Sequence, residues 1–157
     1  MNEDFSMGLS NFEAVWERVR SGGAKEEPRA ETALRHFIER EAAKRRLYEM
    51  LAQQSRGGTR IMFSKMCESA GSGLKELELE LFLLSGDSFA PSPEGKKCEG
   101  FLPTMRRLYI SEQTSARELE GAADEADGSL RDTYLKVANA SRERRDFLRR
   151  LLSRVMS

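Results

Sequence analysis

The stretch at residues 30–54, AETALRHFIEREAAKRRLYEMLAQQ, decides how this chain is read. Its apolar residues Leu34, Phe37, Ile38, Tyr48, Leu51 and Ala52 recur at spacings of three, four and seven, the stripe that an amphipathic helix turns toward a core. Glu41 falls inside that stripe, three residues after Ile38 and seven before Tyr48, so helical geometry aims its carboxylate at the same core. A carboxylate placed there is costly unless a cation or hydrogen-bond donors meet it. What meets Glu41 is therefore the functional question.

Toward the N-terminus, Ser21-Gly22-Gly23-Ala24-Lys25-Glu26-Glu27-Pro28 reads as a linker, with Pro28 suited to the first turn of the helix it precedes. Upstream, Leu9-Ser10-Asn11-Phe12-Glu13 has the pattern of a helix start, with Ser10 as N-cap and Glu13 reaching back in a capping box. Phe12, Val15, Trp16 and Val19 then share one side of a short helix, expected to dock on the main body as a lid; a partner-binding helix is the alternative. The predicted organisation is a lid helix and linker over residues 1–29 and a four-helix bundle over residues 30–157.

Toward the C-terminus, Arg56-Gly57-Gly58 precedes a second helix predicted over residues 59–84, with Phe63, Met66, Cys67, Leu74, Leu77 and Leu81 on its core side. Gly71 and Gly73 sit in its middle, each about 1 kcal/mol less favourable than Ala in a helix interior. Residues 85–102 contain Pro91, Pro93, Gly95 and Gly100 and are too long for a tight hairpin, so they are expected to cross from one end of a bundle to the other. A third helix starts near Pro103 with Met105, Leu108, Tyr109, Ala116, Leu119, Ala122 and Ala123 on its stripe, and Gly128 breaks it. A fourth, over residues 129–155, carries Tyr134, Val137, Ala138, Leu148, Leu151, Leu152 and Val155.

Composition agrees with an all-α domain. The 157 residues are 39% hydrophobic, enough for one core, and strand patterns are absent. Lys plus Arg and Asp plus Glu both number 26, so net charge gives no reason to expect nucleic acid or an anionic membrane as partner. The acidic start Met1-Asn2-Glu3-Asp4-Phe5 lacks the apolar core of a secretory signal and no apolar run approaches a membrane span, so a cytoplasmic protein is expected. Two cysteines, Cys67 and Cys98, cannot supply four thiolates to a rubredoxin or zinc-ribbon site, and a disulfide between them is open but not implied.

An offset of 71 residues maps the first helical pair onto the second: Glu41 onto Glu112, Leu51 onto Ala122, Gly57 onto Gly128, Phe63 onto Tyr134, Met66 onto Val137, Leu77 onto Leu148 and Leu81 onto Leu152. A glutamate within each stripe and a glycine at each hairpin suggest an internal duplication. They predict a pseudo-twofold bundle with two carboxylates facing each other near its axis.

On these residues, on Phe63-x-x-Met66-Cys67 and Tyr134-x-x-Val137-Ala138, and on Leu81-Phe82-Leu83-Leu84-Ser85-Gly86 before the long connection, the chain resembles the ferritin-like superfamily. Within it, the likeness is to small rubrerythrin-like proteins without a rubredoxin domain, over residues 30–155. The resemblance implies an antiparallel four-helix bundle with a long crossover between helices two and three. It also implies a di-iron or di-manganese centre held by one Glu on each of helices one and three and a Glu-x-x-His pair on each of helices two and four. Of those ligands the chain keeps Glu41 and Glu112. The positions of the Glu-x-x-His pairs hold Ala70 and Gly73 on helix two and Ser141 and Arg144 on helix four, and the one histidine, His36, falls on another side of helix one.

Two carboxylates are too few for the usual carboxylate and histidine site, so no metal and no catalytic residue is expected. Arg144 instead brings a permanent cation to a former ligand position. Its guanidinium, helped by Arg45 or Tyr109, is expected to offset the two glutamates. Glu68, Glu76, Glu118 and Glu143 could supply a shifted metal site, but surface charge is the preferred reading. Ala70-Gly71-Ser72-Gly73 either packs closely against a neighbouring helix or opens a cavity lined by Met66, Cys67 and Tyr109. Cys67 has no nearby histidine to activate it and reads as a core residue. Arg142, Arg144, Arg145, Arg149, Arg150 and Arg154 make the last helix basic, as the helix dipole favours near a C-terminus; docking on an acidic partner or nucleic acid is the alternative.

The expected protein is thus a degenerate rubrerythrin-like structural, ligand-binding or interaction module, with a homodimer as one assembly. The alternative is an iron- or manganese-dependent oxidoreductase or iron-handling protein with an atypical ligand set.

Overall fold

The computed structural model describes residues 26–91 and 100–156. The predicted lid helix with Ser10, Phe12, Val15, Trp16 and Val19, and the loop with Pro93, Gly95 and Cys98, lie outside them. The described residues form four helices and no strand: α1, Glu26–Gln53; α2, Gly57–Ser85; α3, Phe101–Asp124; and α4, Gly128–Met156. The boundary predicted at residue 30 moves to Glu26, because Pro28 lies within the first turn of α1, where its missing N–H leaves no helical bond unmade.

Both short turns are built alike. Gly57 and Gly128 open α2 and α4 with φ of 59° and 56°, the left-handed region that a side chain would strain. The turn bonds repeat at the 71-residue offset: Ser55 N–H donates to Ala52 at 3.1 Å and Ala126 N–H to Ala123 at 3.2 Å, while Arg60 donates to Arg56 at 3.4 Å and Arg131 to Asp127 at 3.3 Å. The chain therefore reverses twice by one device.

α1 packs most extensively on α2, and α3 on α4; the pairs meet through α2 with α4 and α1 with α3. This arrangement fits a four-helix bundle. Its core falls into two apolar clusters. One joins Leu34, Phe37 and Ile38 of α1 to Leu74, Leu77 and Leu81 of α2, Leu119 of α3 and Tyr134 and Val137 of α4. The other joins Leu47, Tyr48 and Leu51 to Phe63, Met105, Leu108, Leu148 and Leu151. Phe89 packs against the first cluster and Phe101 against the second.

Aromatic edges lock the clusters, Phe37 against Tyr134 at 5.4 Å between centroids and Phe63 against Phe101 at 5.9 Å. The stripe of α1 is buried as its spacing requires. Some positions depart from the predicted core: Val155 is 49% exposed in the last turn of α4, and Met66, Cys67, Tyr109, Ala122 and Leu152 flank the clusters half-buried. No helix among the described residues is long and apolar enough to cross a membrane.

The two mid-helix glycines of α2 are packed over. A Cβ on Gly71 would meet the Arg45 side chain at 3.4 Å, and one on Gly73 would meet Glu41 Oε1 and Val137 at 3.5 Å, which are ordinary contacts. Gly71→Ala is therefore expected to raise stability by up to about 1 kcal/mol through helix propensity. Gly57→Ala, in open space but at positive φ, is expected to lower it by about 1 kcal/mol. Urea unfolding midpoints of the two variants check the opposite signs.

Candidate functional site

Between the two apolar clusters lies one buried polar layer to which all four helices contribute. α1 supplies Glu41, Lys44 and Tyr48; α2 supplies Ser69; α3 supplies Glu112 and Ser115; α4 supplies Ser141 and Arg144. Arg144 is 1% exposed and Glu112 fully buried. The guanidinium grips Glu112 with two parallel bonds, Nε to Oε2 at 2.6 Å and Nη2 to Oε1 at 3.1 Å, the fork that only arginine offers a carboxylate. Nη2 also reaches Glu41 Oε1 at 3.0 Å, and Nη1 donates to Ser69 at 2.8 Å.

Lys44 closes the other side. Its Nζ contacts Glu41 Oε2, stands 2.8 Å from Glu112 Oε1 and donates to Ser115 Oγ at 3.1 Å. Tyr48 donates its hydroxyl proton to Glu112 Oε2 at 2.7 Å. Two carboxylates thus face the Lys44 amine and the Arg144 guanidinium, and each buried oxygen of the glutamates has a donor. The layer is neutral in sum and hydrogen-bonded throughout.

Electrostatics follow from that enclosure. Burial alone would raise the Glu112 pKa, but the charges and hydrogen bonds of Lys44 and Arg144 hold it down, to about 2 against an ordinary value of 4.5. Burial works to deprotonate Arg144, and the Glu112 and Glu41 carboxylates overcome it, keeping the guanidinium above its ordinary range. Burial, then the Glu112 charge, pushes the Tyr48 phenol well above 10.0, so it remains a donor.

The structure brings Glu41, Glu112, Ser141 and Arg144 together, with Ala70 and Gly73 buried on α2. Arg144 is paired with both glutamates. The predicted helpers are wrong: Arg45 is exposed and Tyr109 lies at the edge of the second cluster, and their place is taken by Lys44 and Tyr48. Lys44 was legible as the i+3 neighbour of Glu41 and the i−4 neighbour of Tyr48, but the run Lys44-Arg45-Arg46 hides which cation turns inward. Ser69 and Ser115 carried no comparable signal.

The other candidates stay outside the layer. His36 is exposed and pairs with Arg40 and Glu118; Glu76 pairs with Lys136 at 2.7 Å; Glu68 and Glu143 are exposed. Cys67 is half-buried, its thiol pKa raised by burial and its Sγ 3.5 Å from the Arg45 carbonyl oxygen it donates to. On α4, Arg142 pairs with Glu120 and Arg145 with Asp146, so the basic helix is partly neutralised by its own neighbours.

These residues do not fit the di-metal centre that the resemblance implies. The ligand positions hold Ala70, Gly73, Ser141 and Arg144, and the space between the two glutamates is filled by the Lys44 ammonium and the Arg144 guanidinium. Among the described residues, no group of three or more His, Cys, Asp or Glu side chains is placed to hold a metal ion.

Arg144→Ala leaves two buried carboxylates short of a cation and is expected to cost about 3–5 kcal/mol in urea unfolding, whereas exposed Arg149→Ala stays within about 0.5 kcal/mol. Glu112 returns to an ordinary pKa on unfolding, so as pH falls the unfolded chain takes up its proton first. The stabilisation from this group, on the order of 3 kcal/mol, is complete above about pH 5 and is lost as pH falls from 4.5 toward 2. Unfolding midpoints measured across that range should fall steeply for the native chain and more gently for Glu112→Gln. The chain matches no known family model, no curated protein and no solved structure, so the function of the layer rests on its own geometry.

Proposed function

We propose that this chain is a ferritin-like protein of the rubrerythrin-like kind in which an internal ion-pair cluster stands where the di-metal centre would be. It works as a structural or interaction module and not as a redox enzyme. The observation that carries this reading is the guanidinium of Arg144 lying at a ligand position with both retained glutamates bound to it. The alike hairpin turns, the placement of Phe89 and Phe101 on different core clusters, and the matching positions of Glu41 and Glu112 support descent by internal duplication and an antiparallel bundle with a crossover.

A cation held by two carboxylates at these distances is a strong competitor for any divalent ion. Admitting a metal would mean expelling Arg144 or Lys44 from a desolvated layer, and either then needs another partner. The layer also presents no free base and no exposed nucleophile, because each carboxylate is already engaged. What remains is a rigid four-helix scaffold with a specified core.

Metal analysis of freshly purified protein, followed by aerobic ferrous iron titration, tests this. Sub-stoichiometric iron and manganese, with oxidation no faster than that of a Glu41→Ala control, are expected. Two metal ions per chain, with iron oxidation or peroxide reduction lost in Glu41→Ala, would establish instead the metal-dependent oxidoreductase with an atypical ligand set.

A further inference from the structure

The outward face of α2 ends in an apolar patch that the described fold leaves open. Leu79, Phe82 and Leu83 are 55%, 52% and 65% exposed and lie at i, i+3 and i+4, so they form one contiguous surface near the end of the helix. Elsewhere Leu102, Ile110, Leu152 and Met156 line a shallow groove beside the second cluster.

We propose that the chain's own residues 12–19 cover this patch, laying Phe12, Val15, Trp16 and Val19 on Leu79, Phe82 and Leu83. The position of the tether argues for it. Leu34 and Phe37 near the start of α1 share a cluster with Leu77 and Leu81 near the end of α2, and the Arg35 guanidinium lies 5.7 Å from the centroid of Phe89, just past α2. The chain therefore enters α1 at the end of the molecule where the patch lies. Residues 20–25 span at most about 20 Å when extended, enough for that patch. The other apolar groove lies at the far end of α1, whose 28 residues measure about 40 Å, beyond that reach.

The pattern matches as well. Residues 12, 15, 16 and 19 repeat at the spacing by which a helix presents one apolar face to a surface of the same kind. The inference is independent of the metal question, since the patch lies outside the polar layer.

Trp16 is the chain's single tryptophan and reports directly. In the full chain its emission is expected to be blue-shifted and weakly quenched by acrylamide. Leu79→Glu with Phe82→Glu should shift it to the red and raise quenching several-fold at unchanged far-UV circular dichroism, while Ile110→Glu should not. As a second readout, Val15→Ser with Trp16→Ser should speed amide exchange over residues 79–86. Emission of a fully solvated indole in the native chain, or emission and exchange both indifferent to these changes, would overturn the proposal. So would a blue shift that disappears on dilution together with a halving of mass, since the patch would then belong to a second copy of the chain.

Discussion

The two parallel bonds from Arg144 to Glu112 are the constraint on which the rest of the core turns. Each partner sits where water does not reach, and an ion there is tolerated only while its counter-ion keeps its geometry. Because the guanidinium is planar and its donors fixed, α3 and α4 are held in one register at that level. Glu41 and Lys44 extend the same requirement to α1, and Ser69 brings in α2. The apolar clusters above and below supply most of the burial but tolerate sliding; the layer between them does not. A slip of one helix by a turn, about 5.4 Å, would separate the pairs that join it to its neighbours.

The two halves of the chain share their turns and stripes but not their contribution to this layer. At equivalent places α2 has Gly73 and α4 has Arg144, while α1 has Lys44 and α3 has Ser115. The asymmetry is complementary. Gly73 offers no side chain beside Glu41, and the carboxylate occupies space that a larger residue would claim. Arg144 extends across to that same carboxylate, and Ser115 accepts a hydrogen bond from Lys44, the residue that replaces it in the other half.

Much of this was legible before any coordinates. Periodicity located four helices and put Glu41 and Glu112 inside, because a stripe broken by one charged residue is a local pattern that helix geometry converts to direction. Arg144 followed from the ligand spacing that the resemblance implies, counted from Tyr134. Lys44 escaped because three consecutive cations span some 200° of a helix, and which of them turns inward depends on the facing helix, which no local pattern contains. The start of α1 was drawn too late since a glycine-rich linker grades into helix without a sharp signal at Glu26. Ser69 gains its role only through contact with a residue 75 positions away.

The division of charge between the hairpins bears on how the molecule comes together. Lys44 and Glu41 lie on the same helix, and Arg144 and Glu112 belong to one helical pair, so either hairpin carries a balanced ion pair before it meets the other. Neither hairpin presents a bare charge on the face that meets the other. In the folded chain each cation also pairs across the seam, Lys44 with Glu112 and Arg144 with Glu41, beside the partner it keeps within its own hairpin. Register is thereby checked by charge: two hairpins packed out of step would keep their private pairs but forfeit the shared ones.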